Sequence, residues 1–341
     1  MSRATDCYGR LRAVLRREPL LPVLVVVLLG LAASYHEFAT VANFRNIAVQ
    51  ASPLIVAAVG MTYVIMTAGI DLSVGSMLFL AAAIESSRAV VGLPTAVVFA
   101  VICATGVLMG LLNGVAVAFT RVPALIVTLA TMQVFRGAGG HVTGQQNIDL
   151  PANLRGIGTG SLLGVPTPVL IAAAVALGGG FVFSRTTFGR YVQAVGSNPD
   201  AAVNAGLPVR RVLVGAYAVA GLLAAVASLT QTARLGAVQP SIGQGFELTV
   251  ITAVVLGGTT LFGGRGSIGG TVLGALVLTT VQTGLVFSGA SPYVFDIVRG
   301  SVLLAAVLAA GARWRKLAHA VGLTGRGRPS RDGRYGGATS A

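Results

Sequence analysis

Long apolar runs, separated by short polar or glycine-containing breaks, fill the chain between residues 19 and 312. A helix needs about 20 apolar residues to cross a bilayer, with a range of about 17 to 25. The runs that come near this length are 19–36, 46–68, 71–90, 93–119, 123–137, 166–184, 211–232, 247–262, 267–288 and 292–311. The pattern therefore predicts an all-α integral membrane protein with about ten transmembrane helices.

Two of the predicted spans, 123–137 and 247–262, are short for a membrane crossing. Such a segment either crosses a locally thinned bilayer or forms a half-helix that lines a cavity. The pattern does not favour one of these alternatives over the other.

The composition and the distribution of charge also indicate a membrane protein. Of the 341 residues, 54% are hydrophobic and 10% are charged, whereas a typical soluble domain is about 25% charged. Much of the formal net charge of +14 comes from two terminal clusters: Arg3, Arg10, Arg12, Arg16 and Arg17, and Arg313, Arg315, Lys316, Arg326, Arg328, Arg331 and Arg334. Basic residues beside spans favour the cytoplasm, so both termini are predicted to be cytoplasmic and the number of spans even. We expect these clusters to contact membrane lipid and not to bind nucleic acid.

The chain divides into a basic cytoplasmic N-terminal tail (1–18), a transmembrane domain (19–312) and a basic, disordered cytoplasmic tail (313–341). The first apolar run could be a signal peptide, cleaved near the small residues Ala32-Ala33-Ser34. An uncleaved first span is favoured, because the later spans hold the chain in the membrane in either case. Cys7 and Cys103 lie in a tail and in a span, so no disulfide is predicted.

The sequence lacks the motifs of common catalytic sites. It contains no HExxH, GxSxG or Walker A pattern, and no span carries two carboxylates three or four residues apart. We therefore predict no catalytic residue, no metal site and no cofactor, and we expect that the chain does not hydrolyse nucleotide. The deep carboxylates Asp71, Glu85 and Glu247 have no basic partner deep in their own spans, which counts against a proton-coupled carrier.

Asp71 stands inside an apolar region, in the stretch MTAGIDLSVGS at residues 66–76. A carboxylate in lipid is costly and usually faces the protein interior or a water-filled path. After Gly69, Asp71 can accept hydrogen bonds from free N–H groups two or three residues on, with Ser73 nearby, and so cap the third span. The alternative is that Asp71 lines or gates a path through the membrane.

Two glycine ladders are visible, one at Gly106, Gly110 and Gly114 and the other at Gly266, Gly270 and Gly274. Small residues spaced four apart allow helix backbones to approach closely. Packing within the subunit is the favoured interpretation, and a dimer face is the alternative.

The cytoplasmic loop 185–211 contains a short helix with clear end signals, predicted over Pro199–Ala205. Asn198 suits the N-cap, Pro199 the first helical position, and Asp200 the positive end of the helix dipole. Gly206 suits the left-handed residue that follows a helix. From these residues alone, a docking surface and a passive connection are equally good explanations.

Five ordered stretches of the sequence are similar to the ribose/xylose/galactose-type (monosaccharide) permease subunits of bacterial ABC importers. They cover much of residues 40–311 and are TAGIDLSVGS (67–76), LLNGVAVAFTRVPALIVTLATMQVFRG (111–137), GRYVQAVGSNPDAAVNAGLPVRRV (189–212), ELTVITAVVLGGTTLFGGRGSIGGTVLGALVL (247–278) and SPYVFDIVRGSVLLAAV (291–307). The sequence departs from the family in lacking a charged residue around Gln133, and its basic, Gly-rich tail is its own.

The resemblance implies a binding-protein-dependent permease in the bacterial plasma membrane, which moves a monosaccharide and performs no covalent chemistry. Its implied partners are a cytoplasmic ABC ATPase subunit, an extracytoplasmic sugar-binding protein and a second permease copy in a homodimer. Residues 189–212 would then be the coupling segment on the ATPase, with the contact carried by Asn198, Pro199, Asp200, Ala201, Ala202, Asn204 and Gly206.

The resemblance also suggests residues along the translocation path, which are Asp71, Ser73, Asn113, Thr128, Gln133 and Glu247. Two other functions stay open: an ABC permease for another small solute, such as a nucleoside or a sugar derivative, and an ion-coupled secondary transporter that works alone. A partner ATPase would exclude the second of these.

Overall fold

The computed structural model describes residues 20–320, without the side chains of residue 306 and residues 309–320. Its helices are α1 (Leu20–Ser34), α2 (Val41–Met66), α3 (Val74–Glu85), α4 (Thr95–Phe119), α5 (Ala124–Thr143), α6 (Ala152–Thr159), α7 (Thr167–Arg185), α8 (Thr187–Ser197), α9 (Pro199–Asn204), α10 (Val209–Leu235), α11 (Phe246–Leu256), α12 (Ile268–Phe287) and α13 (Pro292–Ala320). The strands are β1 (Ile148–Asp149), β2 (Ser161–Leu162), β3 (Val165–Pro166) and β4 (Ala237–Val238). β1 pairs antiparallel with β4, and β2 pairs antiparallel with β3.

The helical membrane architecture is confirmed. Within residues 20–320, the five helices α2, α4, α7, α10 and α12 are long and apolar enough to cross a membrane. Three further apolar helices, α1, α3 and α11, are shorter.

Several of the predicted spans differ in length from the helices observed. The predicted span 71–90 contains only the 12-residue helix α3, and 247–262 contains only the 11-residue helix α11. The predicted span 123–137 was too short, because α5 runs on for 20 residues until Gly144 adopts a left-handed conformation with φ 61°. The glycines near its end remain helical, and a Cβ at Gly139 would lie 2.7 Å from the Phe79 ring.

The core is built around α2 and α10, which pack against each other and against most of their neighbours. Every residue of α2 from Ala51 to Met66 is buried. A helix that is apolar on all sides belongs at the centre of a bundle. In contrast, α1, α4 and α7 expose large apolar side chains, such as Val26, Leu108 and Leu177, on faces suited to lipid.

The first glycine ladder packs within the subunit, as predicted. Gly106 and Gly110 on α4 lie against Gly221 and Tyr217 on α10, and a Cβ at Gly110 would overlap the Tyr217 carbonyl. Gly114 continues this contact beside Val214. The second ladder behaves similarly, since Gly270 and Gly274 on α12 lie against the backbones of Gly257 and Ala253. Gly266, predicted to belong to this ladder, precedes α12 and lies beside Thr259 in the loop after α11. Both ladders are therefore covered by other parts of the same chain.

Candidate functional site

A buried polar cluster stabilises the non-helical turn between α2 and α3. Asp71 Oδ1 accepts hydrogen bonds from the Ser73 amide at 2.8 Å and from Ser73 Oγ at 2.6 Å. Asn113 Nδ2, on α4, donates to Ser73 Oγ at 2.8 Å and lies 3.5 Å from both Asp71 carboxylate oxygens. Thr128 Oγ1, on α5, reaches the Ile70 carbonyl at 3.3 Å. We call Asp71, Ser73, Asn113 and Thr128 the Asp71 cluster.

The structure refines the predicted cap of the third span. Asp71 accepts the N–H two residues on, as expected, but the N-cap of α3 is Ser73, whose own side chain makes no capping hydrogen bond. Asp71 therefore holds the turn that precedes the helix. This turn also contains Ala68 with φ 62°, a backbone conformation that residues with a Cβ rarely adopt.

The cluster brings together four of the six residues predicted for the translocation path. Asp71, Ser73, Asn113 and Thr128 are all fully buried within the subunit. Gln133 is exposed on α5, and Glu247 is half-buried at the start of α11. The four buried residues are thus placed to orient α3, and Glu247 lies beside the first turn of the same helix, where a Cβ at Gly75 would overlap its carboxylate.

Two buried polar atoms beside the turn between α2 and α3 lack hydrogen-bond partners among the described residues. They are Asn113 Oδ1 and Tyr217 Oη. Tyr217 lies close to the turn, since a Cβ at Gly69 would come within 2.8 Å of its hydroxyl oxygen. The Asp71 cluster and its neighbour Tyr217 therefore retain two unused hydrogen-bonding atoms next to the turn between α2 and α3.

Replacing Asp71 with alanine is expected to destabilise the protein more than replacing it with asparagine. Alanine leaves the Ser73 amide and the Ser73 hydroxyl without their buried acceptor, and each such loss costs about 1–3 kcal/mol. Asparagine keeps an acceptor oxygen for the Ser73 amide. Thermal unfolding in detergent measures both variants against wild type, and equal midpoints for Asp71→Ala and wild type would contradict the assignment.

Glu85, the last residue of α3, makes a second buried polar contact. It was not among the residues predicted for the translocation path. Its Oε1 accepts from Ser228 Oγ at 2.8 Å and its Oε2 from Thr232 Oγ1 at 2.6 Å, both on α10. The spacing of four places the two hydroxyls on one face of a helix, and this pattern could have indicated the pairing. α3 is therefore fixed by polar contacts at both ends.

Glu247 lies near two arginines from other elements. The charges of Arg136 and Arg299 both act on its carboxylate. Arg136 Nη1 donates to the Ile242 carbonyl at 2.7 Å, and its guanidinium lies 4.7 Å from the centre of the Phe79 ring. Arg299 Nη1 donates to the Gly245 carbonyl at 3.1 Å and Thr249 Oγ1 at 2.8 Å. The two arginines thus hold the loop between β4 and α11.

The cytoplasmic loop contains the predicted short helix and one that was not predicted. α9 begins at Pro199 after the N-cap Asn198, whose Oδ1 accepts from the Ala201 amide at 2.9 Å. It ends at Asn204, one residue before the predicted end, and Gly206 has the expected left-handed φ of 74°. α8 precedes it and is capped by Thr186, which accepts from the Gly189 amide. We call residues 187–206 the α8–α9 element.

The α8–α9 element presents a defined outer surface. Asn198, Pro199, Asp200, Ala201, Asn204 and Gly206 are exposed. Ala202 is only 4% exposed and faces the protein, whereas Val203 is 60% exposed. Val203 was not among the predicted contact residues, and it adds an apolar side chain to this surface.

The α8–α9 element packs directly against the C-terminal end of α2. A Cβ at Gly196 would overlap the Met66 carbonyl, which also accepts a hydrogen bond from the Gly264 amide at 3.1 Å. Met66 is the last residue of α2 and precedes the turn that holds Asp71. The outer surface and the Asp71 cluster are therefore joined through one short segment.

Comparisons with known proteins identify a family of transport permeases. A family model described as branched-chain amino acid transport system / permease component matches residues 43–307. The ribose import permease protein RbsC of Escherichia coli (strain K12) is 40% identical over 302 residues, covering 87% of this chain and 94% of the relative. In the same strain, the galactofuranose transporter permease protein YtfT is 36% identical (79% of each chain), and the xylose transport system permease protein XylH is 34% identical (78% of this chain and 84% of the relative). No solved structure matches the chain significantly.

Proposed function

Because the chain belongs to the family described as branched-chain amino acid transport system / permease component, we propose that it carries a monosaccharide as the permease subunit of an ABC importer. The observation that carries this proposal is the 40% identity to a ribose import permease over nearly its full length. The other relatives above are named for galactofuranose and xylose transport, so sugars are favoured over amino acids. The chain is a transport subunit of the bacterial inner membrane and not an enzyme, since ATP hydrolysis belongs to a separate subunit.

An ABC ATPase subunit and an extracytoplasmic binding protein are the partners that follow from the family. The α8–α9 element is the proposed contact with the ATPase. Its support is an exposed surface of Asp200, Ala201, Val203 and Asn204 on a well-capped helix. Because Gly196 packs on the end of α2, movement of this element would act on the turn before α3.

Ten membrane crossings with both termini in the cytoplasm remain our proposal for the topology. Support comes from the basic terminal clusters and from the five long apolar helices, supplemented by shorter ones. A homodimer is the proposed assembly, and lipid is the proposed partner of the apolar faces of α1, α4 and α7. In this topology, the C-terminal end of α10 and the loop before α11 face outwards.

The solute class is tested by uptake into cells that lack this chain and are complemented with it. Radiolabelled ribose, xylose, galactose, leucine and adenosine are supplied separately. Cells that carry an inactive form of the ATPase partner give the background rate of uptake. We expect one of the three sugars to accumulate above this background. Accumulation of leucine or adenosine without any of the sugars would overturn the proposed substrate class.

A further inference from the structure

A cavity of about 340 Å³ opens among α2, α10, α11, α12 and α13. Its polar lining is dominated by long side chains from separate parts of the chain, namely Gln50, Gln231, Arg234, Gln239, Gln244 and Gln282. We call it the glutamine cavity. None of the Asp71 cluster residues lines it, so it is distinct from the turn before α3.

The lining presents unused hydrogen-bonding groups, most of them the uncharged amides of glutamines. A glutamine side chain offers two donors and an acceptor. Within residues 20–320, none of the five glutamine side chains of the lining forms a hydrogen bond with another residue. Arg234 Nε is buried and, among the described residues, also has no hydrogen-bond partner. Among the described residues, the lining contains no carboxylate. Such a surface suits a ligand that carries many hydroxyls.

The apolar part of the lining complements these groups. Phe246 and Phe295 contribute aromatic side chains, which can pack against the C–H face of a sugar ring. Small-molecule sites typically combine apolar walls with a few polar groups in about 300–1,000 Å³. The glutamine cavity lies at the lower end of this range, as a pentose or hexose requires.

The wall of the cavity is fixed in place. Arg136 and Arg299 hold the carbonyls of Ile242 and Gly245 in the loop that forms one side. Gly243, in the same loop, lies against the backbone of Gly75 on α3, where a Cβ on either residue would overlap the other. A shift of α3 would therefore change the shape of the cavity.

We propose that the glutamine cavity holds the monosaccharide inside the permease after the binding protein releases it. The proposal rests on the proposed function and deepens it by naming where the solute binds. In the proposed topology the cavity lies towards the outer side, where the binding protein delivers its sugar. The glutamines and Arg234 bind the hydroxyls of the sugar.

The test uses the complete transporter, with its ATPase and binding protein, in proteoliposomes. The probe is whichever of radiolabelled ribose, xylose or galactose the wild type carries. The double variant Gln231→Leu/Gln282→Leu is expected to lower uptake at least about tenfold, because a site built to bind hydroxyls loses its partners. ATP hydrolysis stimulated by the loaded binding protein is expected to match that of wild type, since both substitutions leave the α8–α9 element unchanged. Gln146→Leu, at an exposed glutamine outside the cavity, is the matched control and should match wild type.

A second measurement reports on the cavity without requiring transport. In a background with Cys7→Ser and Cys103→Ser, Gln282→Cys is labelled with a methanethiosulfonate reagent. We expect the transported sugar to slow this labelling severalfold and to leave that of Gln146→Cys unchanged. Labelling of Gln282→Cys at the same rate with and without sugar would overturn the cavity assignment.

The outcomes separate the two proposals. If the wild type carries none of the three sugars, the proposed function and the cavity assignment both fall. If it carries one and the double variant carries it equally fast, only the cavity assignment falls. If uptake and stimulated ATP hydrolysis fall together, the two glutamines act on coupling to the ATPase, which also overturns the assignment.

Discussion

Replacing Gly110 with valine is expected to prevent stable folding of the membrane domain. A Cβ at this position would overlap the Tyr217 carbonyl and lie 2.8 Å from the Ala218 Cα. α10 cannot retreat easily, because on another side Gly60 of α2 lies against Ala220, where a Cβ would stand 2.9 Å from its Cα. Overpacking a core usually costs about 1–3 kcal/mol, and backbone displacement raises this cost. We therefore expect a loss of about 3 kcal/mol or more.

Thermal unfolding in detergent and the yield of monodisperse protein measure this effect. Gly137→Val is the matched control, because Gly137 is helical but has no neighbouring atom within 4 Å of a Cβ. Both variants exchange glycine for valine inside a helix and so change helix propensity alike, which means that the difference between them reports on packing. Equal midpoints for the two variants would contradict the close contact between α4 and α10.

Replacing Asp200 with arginine is expected to abolish uptake and release the ATPase. Asp200 is exposed in the first turn of α9, on the surface proposed to contact the ATPase. Reversing its charge affects the helix dipole by only about 0.3–1 kcal/mol, so the permease itself should insert and fold. A reversed charge at an interface costs several kcal/mol, which predicts a reduction of at least about a hundredfold in affinity.

Co-purification of the ATPase with the permease from membranes gives the direct readout, together with sugar uptake. Asp149→Arg is a matched charge reversal, at an exposed aspartate in β1 remote in sequence from the α8–α9 element. It is expected to retain the ATPase. If Asp200→Arg retains the ATPase and transports normally, the coupling contact lies elsewhere on the chain.

The features that sequence predicted best were those whose signals are local. The limits of α9 follow from Asn198, Pro199 and Gly206, which lie within eight residues of one another. Each of these residues has a known role at a helix end. The glycine ladder at Gly106 and Gly110 similarly carried its own indication of close packing.

The features that sequence predicted poorly depend on distant contacts. Hydropathy started the third span at Asp71, three residues before α3 begins, because the groups that stabilise the turn, Asn113 and Thr128, come from α4 and α5. The partners of Glu85 on α10 are separated from it by more than 140 residues. α8 was missed because it was treated as part of a polar loop, although Thr186 provides a capping signal.

The glutamine cavity was also invisible in the sequence pattern, because its lining comes from several helices and a loop. One local signal was available. Gln50, Gln231 and Gln282 stand inside predicted membrane spans, and polar residues in such spans frequently mark functional sites. Attention to uncharged amides as well as to carboxylates would have selected these three residues.

The source of energy for uptake tests the central claim most directly, which is that this chain is a permease driven by a separate ATPase. Proteoliposomes containing the chain, with or without the ATPase and binding protein, are supplied with labelled sugar and internal ATP or a non-hydrolysable analogue. We predict accumulation only with all three proteins and hydrolysable ATP, unchanged by ionophores that collapse proton and sodium gradients. Accumulation by the chain alone, abolished by those ionophores, would contradict the account and identify an ion-coupled carrier.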